Sequence, residues 1–398
     1  MSSMQSDGIQ PLSGIRVIDF SQVMLGPSAT QVLADYGADV IKIERPGAGD
    51  LSRSSIPDDP DGPNNPVFRS LNRNKRSIAL DLRQDDGKQV VYELIRGADI
   101  VVNNFRAGVM ERMGFGYARL AEINPRIICA FGSGFGQAGP LAYKGGQDIL
   151  AQALSGVMMR KCNDDEPLTI YATSLCDYSA GMHLVQAILL ALLQREKTGR
   201  GQQVSVSLFE SMLAMQMQEA AMWLQRGRDF SWGAYPLTGA FPTTDGAVVL
   251  VGAFKANPLR DICAALGLPD LSADPRTADF AGQVKHKAEL QALFRERFAT
   301  NTTEHWLARL DEQDLLCAPV LKLSDALVHE QTRANGSVVS HEPGDPLALV
   351  GSPLTMDPSA FRIRHAPPAL GADGDAVLAE AGFPASRIRA LREAGVLS

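Results

Sequence analysis

What the chain lacks narrows its chemistry first. Its 398 residues contain no HExxH, GxSxG or GKS/T motif, so zinc-peptidase, serine-triad and P-loop chemistry have no anchor. The five cysteines, Cys129, Cys162, Cys176, Cys263 and Cys317, are odd in number and scattered, and none forms a CxxC or Cys/His grouping; this predicts a reduced, cytoplasmic protein without structural zinc or any other metal site. The six histidines stand singly. There is no basic run: charges of both signs are interspersed and sum to −7, which argues against nucleic acid and for a small ligand. No run of about 18 apolar residues occurs and residues 1–10 carry no apolar signal core, so neither membrane spanning nor secretion is expected.

What is present suits a large α/β protein. At 398 residues and 45% hydrophobic content, two domains are expected. Residues 15–20 read as a strand, 28–37 carry helical spacing and 40–43 resume strand character, which is a βαβ unit. The alternation continues with strands at 77–82, 100–103 and 126–131 and a helix at 86–96, predicting a parallel sheet with helices on its faces. Residues 53–73, rich in Pro, Asp, Asn and Ser, read as a long surface loop. Beyond 208 the spacing is helical to about 224, and Met212, Met215, Met217 and Met222 read as core filler. Residues 233–246, with Pro236 and Pro242, interrupt; a strand at 247–251 and helices at 257–266 and 304–313 then suggest a second, smaller domain. A loop-rich tail ends in a short helix near 387–394.

Gly134-Phe-Gly136-Gln-Ala-Gly139 matches GxGxxG literally. A dinucleotide site needs a helix opening at the motif, but Pro140, Gly145 and Gly146 follow at once, so the glycines are read as shaping a turn.

The most informative stretch surrounds Asp177. Met182, Val185, Ile188, Leu189, Leu192 and Leu193 recur at three and four residue intervals, so a core-facing helix starts near Tyr178 and ends near Thr198, with Gly199 as a left-handed stop. Residues 204–208 alternate as a strand. Asp177 is thereby placed at a helix N-terminus, where an N-cap is one reading. The other is a carboxylate held ionised by the helix dipole, able to attack an acyl carbon without a base. His183, within the same helix, reads as a packed core histidine.

Several motifs together, in order, resemble one family. They are Leu12-Ser-Gly14, Gly37-Ala-Asp-Val-Ile-Lys-Ile-Glu-Arg-Pro46, Asn74-Lys-Arg-Ser77, Ala98-Asp-Ile100, Asn104-Phe105, Arg112-Met-Gly-Phe115, Ile123-Asn-Pro125, Arg195-Glu-Lys-Thr-Gly-Arg-Gly201 and Cys317-Ala-Pro-Val320. The chain resembles a class III CoA-transferase of the formyl-CoA transferase and carnitine CoA-transferase type. The resemblance implies a doubly wound, mostly parallel, Rossmann-like large domain (1–208) and a linker helix (209–228). A smaller α+β domain (229–325) and a C-terminal return to the large domain (326–398) follow, in an interlocked-ring homodimer. It implies an acyl-CoA and a free carboxylic acid as substrates, with the CoA thioester taking the place of any permanent cofactor.

The family's nucleophile falls on Asp177, followed here by Gly181, Met182 and His183. The resemblance further implies that Val23, Met24 and Leu25 lie by the reacting acyl group. Arg45 is expected at the adenine and ribose, Asn104 and Phe105 along the pantetheine, and Arg112 near phosphate, with Leu80, Arg83 and Arg106 on the same path. Gly145, Gly146, Gln147 and Asp148 complete the expected substrate contacts. Met24 stands where formyl-CoA transferases carry a glutamine, and 233–246 lacks their run of glycines, so a larger, partly apolar acid or a dicarboxylic acid is expected rather than oxalate. An α-methylacyl-CoA racemase is the alternative within the same superfold. Its Gly-His-Asp-Ile segment is here Gly146-Gln147-Asp148-Ile149, which lacks the histidine base. A CoA-binding protein without chemistry is the other alternative, and it needs no acid at position 177.

Overall fold

The computed structural model describes residues 10–163, 166–341 and 347–398; the polar N-terminal stretch 1–9 lies outside them. Strand β1 (Arg16–Asp19) leads into helix α1 (Leu25–Asp35), β2 (Asp39–Glu44), β3 (Lys75–Ala79), α2 (Asp85–Arg96) and β4 (Ile100–Asn103). Then come β5 (Ile128–Ser133), α3 (Asp148–Leu154), α4 (Leu175–Thr198), β6 (Gln203–Ser207) and α5 (Leu208–Met215). The six strands form one parallel sheet in the order β3-β2-β1-β4-β5-β6. The order reverses between β1 and β4, and the loops leaving their carboxyl ends meet there, which is where open α/β sheets build their sites.

Both faces are covered because neighbouring residues of a strand point to opposite sides. Val17, Ile100 and Val102 join Leu33 of α1 and Leu184 and Ile188 of α4 in one core. Ile18 and Val101 join Val91 and Leu94 of α2 in the other. Helix α4 ends as its sequence predicts, at Gly199 with φ 70°. By length and mean hydropathy (1.4) it would pass as a membrane span, but Ala180, Gly181, Leu184, Ile188 and Ala191 are buried in the core of this sheet.

The long segment 53–73 differs from expectation. It is not a surface loop throughout: it holds a 3-10 turn (Gly62–Asn64) and a helical turn (Pro66–Arg69), and Arg53, Asn65, Phe68, Asn72 and Arg73 are buried. The reason is charge pairing. Arg53 bonds both oxygens of Glu44 at 2.7 Å and lies 3.6 Å over the Phe68 ring, and Arg73 pairs with Asp35 at 2.7 Å.

The chain divides into two compact units. The first comprises the residues up to Met158, Ile170–Met215 and Arg333–Ser398; the second comprises Met159–Thr169 and Gln216–Thr332. Residues 159–169, expected in the large domain, cluster with the second unit, where the Cys162 carbonyl accepts from Lys287. The segment expected as one linker helix is broken: α5 ends at Met215 in the first unit, and α6 (Met217–Arg226) belongs to the second. The methionines there correct another expectation. Met212 is buried, but Met215 and Met217 are 49% and 68% exposed, so this run is not uniformly core.

In the second unit β7 (Thr238–Pro242), β8 (Ala247–Val251) and β9 (Leu316–Pro319) form an antiparallel sheet, ordered β7-β8-β9. Helices α7 (Pro258–Leu266), α8 (Lys287–Phe298) and α9 (Thr303–Asp311) share its core through Leu259, Phe294, Phe298 and Trp306. Strand β7 lies inside the stretch read as an interruption. Its prolines misled: Pro242 ends an edge strand, where a missing N–H costs no ladder bond. The chain's return to the first unit supplies the pair β10 (Val338–Ser340) and β11 (Ala348–Val350), then helices α10 (Gly374–Glu380) and α11 (Ala385–Glu393). Leu378 and Leu391 complete the core beside α2, and Leu80 forms an antiparallel bridge to Leu397.

Candidate active site

The turn from β1 into α1 is tied down at successive residues. Phe20 N–H donates to the Val102 carbonyl at 2.8 Å. The Asn104 side chain takes both backbone groups of Gln22, accepting from its N–H at 2.8 Å and donating to its carbonyl at 2.7 Å. Val23 N–H donates to Asp50 at 3.0 Å, and Val23 adopts φ 66°. For a β-branched residue this left-handed conformation is a genuine outlier and must be held by its surroundings. Met24 is then the N-cap of α1, and Leu25 its first residue.

The Leu25 backbone reaches α4 beside Asp177: a Cβ on Gly181, one turn on, would lie 2.9 Å from the Leu25 carbonyl oxygen, and the Leu25 N–H favours the charged form of the Asp177 carboxylate. The aspartate therefore meets the N-terminus of α1 as well as that of its own helix. Asp177 itself is the third residue of α4, which begins at Leu175 rather than near Tyr178. It does not act as the N-cap: Ser174 occupies that position without a side-chain cap bond. The backbone donors of the first turn go to Asp148, whose Oδ2 accepts the N–H groups of Cys176 at 2.8 Å and Asp177 at 2.9 Å. Its Oδ1 accepts from Gln152 at 2.6 Å.

This arrangement corrects the expected electrostatics. The dipole does not hold Asp177 fully ionised; burial, and then the charge of Asp148, push it up to about 6, against the pull of the Leu25 N–H. Asp148 has the helix donors, and Asp177 has one donor and a like charge beside it. The carboxyl is still mostly ionised at neutral pH and is more basic, hence more nucleophilic, than an ordinary aspartate. The neighbouring Cys176 is no rival. It is buried, and burial followed by the two aspartates push its thiol up to about 12, so it stays protonated.

The other expected contacts divide. Val23, Met24 and Leu25 form the turn that opens α1, with Leu25 nearest Asp177, and Asn104 holds that turn through Gln22. Phe105 follows, its N–H on Asn103 at 3.2 Å. The Arg106 guanidinium lies against Gly145, where an added Cβ would come within 2.6 Å of it. Gly146 packs on Gly134 so closely that a Cβ on either would lie 2.4 Å from the other's Cα. Gly134 and Gly146 therefore serve a close backbone approach, and no helix opens at the GxGxxG sequence. Gln147 is the N-cap of α3, its Oε1 accepting from Ile149 N–H at 3.0 Å.

Asp148 is 4% exposed with both oxygens engaged, and it holds the first turn of α4. The Leu80 side chain is buried at 1% exposure, in the core beside α2. Arg45 and Arg112 are exposed; Arg83 is exposed and paired with Asp81 at 2.8 Å. None of the three is hydrogen-bonded to Asp177. His183 is half-buried.

Sequence reasoning missed a buried charge cluster behind the β1–α1 turn. Lys42 meets Asp50 at 2.8 Å and donates to the Ser21 carbonyl at 2.7 Å. Lys75 meets Asp19 at 3.3 Å. All four are at most 1% exposed. Alternating apolar neighbours hid the lysines inside β2 and β3. Among the described residues no three His, Cys, Asp or Glu side chains are grouped to hold a metal.

Comparison with known proteins gives the family. The model of CoA-transferase family III matches residues 12–374. The chain is 36% identical over 403 residues to an acyl-CoA transferase of Fusarium pseudograminearum, covering 97% of this chain and 88% of that one. It is 35% identical over 413 residues to the formyl-CoA:oxalate CoA-transferase of Escherichia coli O157:H7, covering 96% and 98%. Among solved structures, a CaiB/BaiF family protein from Brucella suis superposes with a TM-score of 0.84 at 28% identity, over 94% of this chain and 100% of that one. Rv3272 from Mycobacterium tuberculosis superposes with a TM-score of 0.80 at 30% identity, over 92% and 98%. With the family model spanning nearly the whole chain and relatives above 30% identity along its length, the protein belongs to CoA-transferase family III and is a class III CoA-transferase.

Proposed function

We propose that the protein moves CoA from an acyl-CoA to a free carboxylic acid through covalent intermediates on Asp177. The carboxylate attacks the thioester carbon, the C–S bond breaks, and CoA leaves as a thiolate, giving a mixed aspartyl anhydride. The thiolate then attacks the aspartyl carbonyl, the anhydride C–O bond breaks, and the donor acid departs, leaving an aspartyl-CoA thioester. The acceptor carboxylate attacks that thioester and the two steps run in reverse. No proton is gained or lost over the cycle, and each intermediate is close in energy to the last, so no external activation is needed.

One observation carries this reading. The start of α1 packs on α4 one turn from Asp177, where a Cβ on Gly181 would lie 2.9 Å from the Leu25 carbonyl oxygen, and the Leu25 N–H favours the charged carboxylate; such a donor would stabilise the charge that develops on oxygen each time the aspartyl carbonyl becomes tetrahedral. The exposed cations Arg45, Arg83 and Arg112 suit the phosphates and adenosine of CoA. Met24 at the turn, an apolar thioether, favours a larger or partly apolar acid over oxalate. An interlocked homodimer and a cytoplasmic setting complete the proposal, the latter suited by five free cysteines.

The test uses a panel of acyl-CoA donors and free acids. Wild-type protein should exchange CoA between some pair, and borohydride added with acyl-CoA should convert Asp177 to the reduced residue, seen by peptide mass. Asp177→Ala should abolish both. Retained exchange in that variant, or oxalate with formyl-CoA at the head of the panel, would overturn the mechanism or the substrate assignment respectively.

A further inference from the structure

The buried charges behind the β1–α1 turn have no part in the bond-making steps, yet they converge on its backbone. Asp50 uses both carboxylate oxygens: Oδ1 accepts from Val23 N–H at 3.0 Å, Ser52 N–H at 2.8 Å and the Ser52 hydroxyl at 2.8 Å, and Oδ2 faces Lys42 at 2.8 Å. Lys42 in turn donates to the Ser21 carbonyl at 2.7 Å. Lys75 and Thr30 hold Asp19, which accepts from Ser21 N–H at 2.8 Å. Ser21 and Val23 are thus gripped from the charged cluster, and Gln22 between them from Asn104.

The grip is needed because of Val23. Its φ of 66° is a conformation that a β-branched side chain leaves unless held. Two residues later comes Leu25, whose carbonyl oxygen would lie 2.9 Å from a Cβ on Gly181, one turn past Asp177 on α4, and whose N–H favours the charged Asp177 carboxylate. If Val23 relaxes, the first turn of α1 rotates and that donor leaves the carboxylate.

We propose that Asp50 is a positioning residue for CoA transfer: by holding Val23 in its strained conformation it keeps the Leu25 N–H aimed at Asp177. The inference rests on the reading of Asp177 as nucleophile. The ionisation of the cluster agrees with this role. Burial works against the charge on Asp50, but Lys42 and the N–H groups of Val23 and Ser52 outweigh it and hold the acid at about 2. For Lys42, burial is likewise outweighed by Asp50, Asp19 and Glu44, so the ammonium stays charged.

Asp50→Asn is the informative change because it keeps the shape and removes the function. An amide has one oxygen, so its NH2 must face either Lys42 or the donors of Val23 and Ser52. The partner change is Val23→Gly, since glycine adopts φ near 66° without strain. In the full-length protein, Asp50→Asn should lower kcat about tenfold and leave binding of CoA, measured by calorimetry, within about threefold of wild type. Its kcat should also rise with pH at a higher pH than in wild type, because the Leu25 donor no longer favours the ionised Asp177. On the Val23→Gly background the same Asp50→Asn change should cost less than about threefold.

Equal costs on both backgrounds, an unmoved pH profile, or a loss confined to KM would overturn the role of Asp50 while leaving Asp177 as nucleophile. Wild-type protein that exchanges CoA without an adduct on Asp177 would overturn the nucleophile and this proposal together. Thermal melts of the four proteins separate misfolding from mispositioning: a lowered kcat only in samples that have lost the folded transition counts against the proposal.

Discussion

Asp148 Oδ2 accepts the backbone N–H of Asp177 at 2.9 Å, so two acids share one helix N-terminus and only one of them holds its donors. The buried acid takes the stabilised position, and Asp177, the proposed nucleophile, is left raised to about 6. The division of roles gives the chain a carboxylate that is both ionised and reactive near neutral pH.

Asp148→Asn should therefore lower, not raise, the pH at which the enzyme switches on. Wild-type kcat/KM should climb through a limb near pH 6, where Asp177 ionises. Removing the Asp148 charge removes one of the two influences raising that acid, so the limb should move toward lower pH. Activity profiles across this range decide it, and an unmoved limb would show that burial alone sets the acidity.

Asp177→Asn should abolish transfer and yet stabilise the fold. Between its ordinary value of 3.8 and its raised value of about 6, the folded protein binds a proton that the unfolded chain does not. Stability therefore falls as pH rises through that window and stays low above it. Full linkage corresponds to about 3 kcal/mol; allowing for the partly exposed position, a gain of about 1–2 kcal/mol above pH 6 is expected for the amide. The gain should shrink as pH falls and vanish near the ordinary aspartate value. Urea titrations at neutral and acidic pH would show it, and a loss of stability at neutral pH would contradict the burial of this charge.

Much of this was legible in the sequence because it follows from periodicity. Alternating apolar residues announced the parallel strands, and the stripe from Met182 to Leu193 announced α4 and placed Asp177 near its start. What stayed hidden depends on contacts between distant segments. Lys42 and Lys75 look like surface residues in a strand; that they are buried follows from Asp50 and Asp19, which approach only in the fold. Asp148 lies 29 positions before Asp177, and nothing local marks it as the cap of α4. The positive φ of Val23 has no sequence signal either, since valine is the residue least expected there.

Racemase activity should be absent. The side chain of Gln147 is committed to capping α3 through Ile149 N–H at 3.0 Å, and an amide cannot take a proton from the α-carbon of an acyl-CoA. In deuterated water a chiral 2-methylacyl-CoA should keep its α-proton at the rate seen without protein. Rapid protein-dependent α-deuteration would show that another base reaches the substrate.

The outer face of α4 bears on assembly. Leu190 and Leu193 are 66% and 64% exposed in the single chain, and Leu189 beside them is 39% exposed. Apolar side chains grouped on one helix face mark a surface that a partner covers. Light scattering should give twice the 42.8 kDa chain mass, and Leu190→Asp with Leu193→Asp should reduce it toward one. A wild-type monomer at micromolar concentration would remove the interlocked homodimer.

Gly181 gives the sharpest test of how the two helices set the chemistry. It lies one turn after Asp177 on α4, and α1 passes so close that a Cβ there would fall 2.2 Å from Ser28 Oγ and 2.9 Å from the Leu25 carbonyl oxygen. The serine hydroxyl can be removed, but the carbonyl belongs to the residue whose N–H meets Asp177. Gly181→Ala must therefore push α1 away at the point of contact, with an overpacking cost of about 1–3 kcal/mol. Because the displaced backbone carries the donor, kcat should fall about ten- to a hundredfold, less than the roughly 10²–10³ lost when an oxyanion donor is removed outright. Adding Ser28→Ala removes the shorter clash and should recover part of the melting temperature, while the carbonyl contact keeps kcat low. Full recovery of both in the double variant would mean that the Ser28 hydroxyl alone fixes the spacing and that the Leu25 carbonyl contact does not displace α1.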